Sequence, residues 1–263
     1  MRLSNILISF FVLSSLAPII GQDDGKNVIL KYQEANAIND LTSKIQYKNI
    51  SKKGREQSRE LVQYISQSNE GIDQYAFLLS FTAPNNIAGT STLTLQHELK
   101  DDDQWLYLPS LRTTKKISAS KKSDRFMGTE MTYEDLSNYL SEPIEDYNYD
   151  LLGEESYDNN LCYKLEATPL KHAKTQYSKK ILWITKKHYI MTKTEFYNKK
   201  GVLLKTFTAN EIKAISGSQK RRAHRALIQN HATGNRTEVA YQDFILNSGI
   251  DKSMFNKNYL ESL

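Results

Sequence analysis

Apolar positions along this chain keep two different periods. Val28, Tyr32, Ala35, Ile38 and Leu41 recur every three or four residues, the spacing of one helical stripe. Thr42-Ser43 mark the change. From there the period is two: Ile45, Tyr47 and Asn49 alternate with Lys44, Gln46 and Lys48. Further runs predict strands over 56–65, 74–82, 90–99, 104–108 and 113–118. A second series follows over 149–155, 162–168, 180–185, 190–197, 202–212, 224–230 and 237–244. Turn-forming sequences separate many of them, including Lys52-Lys53-Gly54, Asp158-Asn159-Asn160, Asn198-Lys199-Lys200-Gly201 and Ala232-Thr233-Gly234-Asn235. Strands joined by such short turns are antiparallel neighbours. Pro84, Pro109, Pro143 and Pro169 all stand at the ends of proposed elements, so none interrupts a ladder.

A sheet with this many strands must curl, split or close. Several strands are apolar on both faces. Phe77, Leu79 and Phe81 alternate with Leu78 and Ser80, Trp105 and Tyr107 with Leu106 and Leu108, and Ile181 and Trp183 with Leu182 and Ile184. One face can pack a core or line a cavity while the other is covered by a helix. A second helix interrupts the strands: Thr132-Tyr133-Glu134-Asp135 has capping-box spacing with Thr132 as N-cap, and Leu136, Tyr139 and Leu140 follow. Pro143 limits it by disfavouring helical geometry at Glu142. Just upstream, Asp124-Arg125-Phe126-Met127-Gly128-Thr129 is a loop with two large apolar residues and a glycine. It reads either as a surface connection whose Phe and Met fill the core or as a lid over an apolar cavity. No linker, charge block or repeat divides residues 22–263, which we expect to form one domain.

The first 21 residues change the compartment. Arg2 is the only charge before Asp23, an apolar run spans 6–13, and small residues precede a cut expected after Gly21, the pattern of a secretory signal peptide. The run is interrupted by Ser14, Ser15 and Pro18, and is short for a span of about 20 residues. The mature chain is therefore expected to be soluble in the periplasm, and no cysteine near the cut would anchor it to lipid. The single cysteine, Cys162, sits in a strand-like run and reads as a small buried hydrophobe. The net charge of +5 suits transient contact with an anionic membrane surface. Lys220-Arg221-Arg222-Ala223-His224-Arg225 is the densest basic run and reads as a solvated strand or loop. No nucleic-acid motif is present, and nucleic acid is not an expected partner.

Catalytic signatures are missing from the sequence. His97, His172, His188, His224 and His231 show no zinc-binding spacing, and there is no Cys pair, phosphate loop or Gly-x-Ser-x-Gly elbow. Asp101-Asp102-Asp103 could start a cation site, but reads more simply as a solvated turn. No catalytic residue, metal ligand or cofactor is assigned.

Two central blocks carry a family resemblance. Asp101-Asp102-Asp103-Gln104-Trp105-Leu106-Tyr107-Leu108-Pro109-Ser110-Leu111-Arg112 and Phe126-Met127-Gly128-Thr129-Glu130-Met131-Thr132-Tyr133-Glu134-Asp135-Leu136 resemble the signature of LolA-like outer-membrane lipoprotein-sorting proteins. Leu152-Gly153-Glu154-Glu155, Glu166-Ala167-Thr168-Pro169, Glu195-Phe196-Tyr197 and Leu203-Leu204-Lys205-Thr206 look like its later blocks. The resemblance implies a mainly β fold, an incomplete, open antiparallel β-barrel with helices covering its open face. It also implies a periplasmic carrier for acyl chains of a lipid or lipoprotein, working beside an inner-membrane exporter of the resistance–nodulation–division type. A non-carrying adaptor of such an exporter and a hydrolase are the other readings. On the carrier reading Trp105, Leu106, Leu108, Trp183 and Phe196 belong to the barrel core or cavity wall, although alternation does not say which face is inward. Phe126, Met127, Gly128, Met131, Tyr133 and Leu136 form the gate.

Overall fold

A computed structural model of the protein describes residues 22–67, 75–97, 100–138 and 143–263. The expected signal peptide, residues 1–21, lies outside the described residues, as do Gln74, Glu98 and Leu99 of the expected strands and residues 139–142 after the start of the second expected helix. The chain begins with helix α1 (Gln22–Asn36) and continues into strands β1 (Asp40–Ile50), β2 (Glu56–Gln67), β3 (Tyr75–Ala83), β4 (Ser91–Leu95), β5 (Asp103–Leu108) and β6 (Thr113–Lys116). A crossover segment containing the short helix α2 (Tyr133–Ser137) follows. The second half holds β7 (Tyr147–Tyr157), β8 (Asn160–Pro169), β9 (Tyr177–Thr185), β10 (Met191–Asn198), β11 (Leu203–Ala214), β12 (Arg221–Asn230) and β13 (Arg236–Leu246), and ends in α3 (Lys257–Ser262). The alternating runs of the sequence thus all become strands. The helical stripe is shorter than its spacing suggests. α1 stops at Asn36, while Ile38 and Leu41 pack with Ile65 and Tyr75 at one end of the sheet.

All thirteen strands form one antiparallel sheet in the order β6-β5-β4-β3-β2-β1-β13-β12-β11-β10-β9-β8-β7. Every neighbouring pair is consecutive in sequence except β1 and β13, which pair from Leu41↔Leu246 to Ile50↔Arg236. The sheet curls into an open barrel that does not close. β6 and β7 are its edges, and the chain must cross from one to the other between Lys116 and Tyr147.

That crossover lies over the inner face, and we refer to it as the strap. Phe126 of the strap stacks on Phe81 of β3 and meets Tyr133 edge-on, within a cluster that includes Ile45, Tyr47, Leu61, Ile228, Val239 and Tyr241. α1 covers the inner face at the other end of the sheet, with Val28 and Ile29 on Tyr147, Tyr149, Leu165, Leu182 and Ile184. Gly25 permits this approach: a Cβ there would collide with the Tyr149 carbonyl oxygen. α3 lies on the outer face, where Phe255 and Leu260 bury Ala76, Leu78, Leu93 and Tyr107.

Candidate functional site

Two cavities lined by described residues lie on the inner face. The larger has a volume of about 170 Å³ and is bounded by α1, the strap and strands β7 and β9 to β12. Its wall is mostly apolar, with Ile29, Leu182, Ile190, Met191, Phe196 and Phe207. The smaller, about 50 Å³, lies under the strap between Tyr47, Leu61, Leu79, Phe126, Val239 and Tyr241. Met131 lines both, so one strap side chain divides them. The larger volume is close to the roughly 150 Å³ apolar cavity that admits a benzene-sized guest. A longer hydrocarbon needs the strap to lift.

Polar groups, rather than grease alone, hold the strap down. Asp135 of α2 forms an ion pair with Lys205 of β11, and the two side chains are only 10% and 3% exposed. The Lys205 ammonium also donates to the Glu130 carbonyl at 3.2 Å, and Tyr177 Oη donates to Asp135 Oδ1 at 2.8 Å. Burial alone would push the Asp135 carboxyl up. The Lys205 charge and hydrogen bonds from Lys205, Thr132 and Tyr177 outweigh it and hold the carboxyl below the usual carboxylate range. Tyr177 moves the other way: burial first, then the negative charges of Asp135 and Glu134, raise its phenol well above its ordinary value. Asp135 serves twice, because its carboxylate also accepts from the Thr132 N–H at 2.6 Å while Thr132 Oγ1 accepts from the Asp135 N–H at 3.2 Å. This is the capping box expected from the sequence. On the other side of the strap, Asn230 Nδ2 donates to Glu130 Oε2 at 2.7 Å and Arg125 pairs with Glu130 Oε1 at 2.7 Å. Arg59 donates to the Met127 carbonyl, and Gln104 Nε2 to the Tyr133 carbonyl at 3.0 Å. The latch therefore draws on β2, β5, β9, β11 and β12 at once.

Comparison with known proteins places this architecture. A family model described as "Uncharacterized protein" matches residues 73–262. The chain is 32% identical to an outer membrane lipoprotein-sorting protein domain from Vibrio parahaemolyticus, covering 92% of this chain and 100% of that one with a TM-score of 0.84. The chain belongs to the LolA-like lipoprotein-sorting family. A DUF1329 family protein from Desulfovibrio piger is 25% identical over 90% of this chain and 98% of that one, at a TM-score of 0.85. A LolA superfamily protein from Nitrosomonas europaea, 21% identical over 89% of this chain and 98% of that one, shares the fold at a TM-score of 0.68. Curated proteins gave no match.

Within this LolA-like frame the expected residues fall in different places. Phe126, Met131 and Leu136 line the smaller cavity. Met127 has a left-handed backbone at φ +46°, next to Gly128 at φ +80°, so the chain reverses sharply under the tip of the strap. Tyr133 packs against Phe126 with ring centroids 5.7 Å apart. Of the wall candidates, Phe196 lines the larger cavity. Trp105 and Trp183 line neither cavity and pack in core clusters instead. Trp105 packs in the outer cluster beneath α3, and Trp183 packs with Cys162 and Ile181, its ring capped by Lys193 at 4.0 Å. The register explains it. Lys180 and Leu182 of β9 line the cavity, so the odd-numbered Ile181 and Trp183 point away. Leu106 and Leu108 also line neither; Leu106 pairs with Thr92 near the β6 edge.

Sequence reading missed three features of the site. Lys205 sits in a run quoted only for resemblance, yet it is the buried partner of the strap. Arg221 and Arg222 stand in the cavity wall, although the basic run containing them reads as solvated. For Arg222 the signal was available in the strand pattern, since Ala226 and Ile228 share its parity and face inward; Arg221, the first residue of β12, lines the cavity against that parity. The three aspartates are likewise more than a solvated turn. Asp101 pairs with Lys174 at 2.8 Å, Asp102 accepts from Ser137 beneath the strap, and Asp103 pairs with Lys116 at 2.6 Å. Burial, outweighing its hydrogen bonds, raises the Asp102 carboxyl above the usual range.

Proposed function

We propose that this protein is a periplasmic carrier that shields acyl chains of a lipid or lipoprotein against the inner face of its open barrel. On this reading residues 1–21 direct export and are removed, and residues 22–263 act as one non-enzymatic carrier domain. The observation that carries it is the larger cavity: an apolar wall on the inner face, covered by a strap that polar contacts fasten at its rim. Similarity to the Vibrio lipoprotein-sorting domain supports it. Burying a methylene gains about 0.8 kcal/mol, so a long acyl chain gains on the order of 10 kcal/mol over water. A bilayer offers a similar gain, so transfer between protein and membrane is nearly neutral while escape into water is not. The strap then gates loading, with Phe126, Met131 and Leu136 leaving the small cavity as it lifts. Passage between inner and outer membranes, with a resistance–nodulation–division exporter as donor, completes the proposal.

Native mass spectrometry of gently purified protein tests it. Co-purified lipid, removable by organic extraction and restored from vesicles, is the expected result. A protein that stays empty in the presence of vesicles and co-purifies with an exporter would instead be an adaptor.

A further inference from the structure

The larger cavity has an unbalanced wall. Lys180, Lys205, Arg221 and Arg222 line it, and Asp135 is the one acid among its described lining residues. Lys205 is committed to Asp135 and the Glu130 carbonyl. Arg222 is committed to the C-terminal end of α1, donating to Asn36 O at 2.8 Å and Asn36 Oδ1 at 3.2 Å, and to Arg221 O at 2.9 Å. Lys220 donates to the Ala35 carbonyl of the same helix end at 2.9 Å. These two cations answer the negative pole of α1.

Arg221 is different. Among the described residues its one hydrogen bond is a long one, Nη2 to the Ile212 carbonyl at 3.5 Å, and its buried Nε has no partner. A guanidinium carries five donors. Leaving buried donors unmatched is costly, and a planar oxyanion is the group that satisfies several at once. The surroundings are positive as well. Burial first, then Arg221 and Lys187, lower the His188 pKa, and burial followed by Arg222 lowers that of Lys220.

We propose that the larger cavity takes an amphiphile with an anionic head, a carboxylate or a phosphate, and that Arg221 receives the head. The hydrocarbon tail then runs from the end of α1 along Leu182, Phe196 and Phe207 toward Met131. This rests on the carrier reading and adds the charge of its cargo.

Three ligands with the same acyl chain separate the possibilities: palmitate, palmitoyl lysophosphatidic acid and uncharged monopalmitoyl glycerol. Titration calorimetry below their micelle concentrations gives each Kd for the purified protein. We expect both anions to bind about tenfold tighter than the neutral ligand, the scale of one charge-assisted hydrogen-bond set. Arg221→Gln should abolish that preference, and Arg221→Lys should retain most of it. The tighter of the two anions identifies the source as a fatty acid or a phospholipid. Equal binding of all three, or a preference that survives Arg221→Gln in a variant with an unchanged urea midpoint, overturns the inference and leaves the carrier reading standing. No binding of any of them overturns both.

Discussion

Replacing Lys205 by methionine removes the ammonium that pairs with Asp135 and leaves a carboxylate that is only 10% exposed. Asp135 keeps the hydrogen bonds from Tyr177 Oη and the Thr132 N–H, at 2.8 and 2.6 Å, so its charge is still partly solvated by the protein. Breaking one side of a buried pair costs about 3–5 kcal/mol, and these remaining donors place Lys205→Met near ~3 kcal/mol. Asp135→Asn keeps an acceptor for the cap but strands the ammonium between the rings of Tyr177 and Phe196, 5.4 and 5.0 Å from their centroids. Those rings return about 1–2 kcal/mol, so this variant also loses ~3 kcal/mol or somewhat less. The double variant carries neither charge and should be destabilised by no more than either single one. A coupling of ~3 kcal/mol or more follows. Urea unfolding read by the fluorescence of Trp105 and Trp183 measures all four corners of the cycle, and amide exchange over the strap locates the loss. An additive double variant, near 6 kcal/mol, would refute the idea that the pair is the latch. The pH dependence gives a second check. In the wild type the Asp135 pKa is depressed, so its contribution is present above the ordinary carboxylate value of ~3.9 and is lost as pH falls through the lower folded value. Without Lys205, burial dominates and the folded pKa rises, so the sign inverts. The Lys205→Met penalty should be largest at pH 7 and shrink as pH approaches 4.

Other substitutions probe the cover and the core. Gly25→Ala should improve intrinsic helicity yet destabilise the protein by ~1–3 kcal/mol, because its methyl group meets the Tyr149 backbone; a gain in the urea midpoint would show that α1 does not seat there. Phe126→Ala removes a ring stacked on Phe81 and should cost ~3–5 kcal/mol, with faster exchange confined to the strap if the strap opens on its own. Met131→Trp should block acyl binding by titration calorimetry while leaving the circular dichroism spectrum unchanged, since Met131 lines both cavities. Cys162 is fully buried and burial raises its thiol pKa, so Ellman's reagent should react only as fast as the protein unfolds.

Local pattern carried most of the fold. Strand alternation depends on neighbours two residues away, and the capping box on residues three apart, so both Thr132–Asp135 and every strand were legible. The pairing of β1 with β13 joins residues about 200 positions apart, and no local period encodes it. Facing was also hidden. Trp105 and Trp183 look like cavity wall because these strands are apolar on both sides, and only α3 and the Cys162 cluster explain where they go. α3 itself is six residues long, too short for periodicity to announce. The buried cations were missed for a related reason: a basic run signals water on average, but a strand sends alternate members of any run to opposite faces.

The placement of β6 and β7 at opposite edges gives the strap a mechanical property. A lid hinged at one end can swing clear, but this one is tied down at both, like the handle of a bucket. It can only bow upward, using slack in the chain between Lys116 and Tyr147. Spreading the sheet edges stretches that same chain and pulls the handle flat. Barrel width and strap height are therefore coupled, and on the carrier reading a guest that pried the edges apart would tighten its own cover.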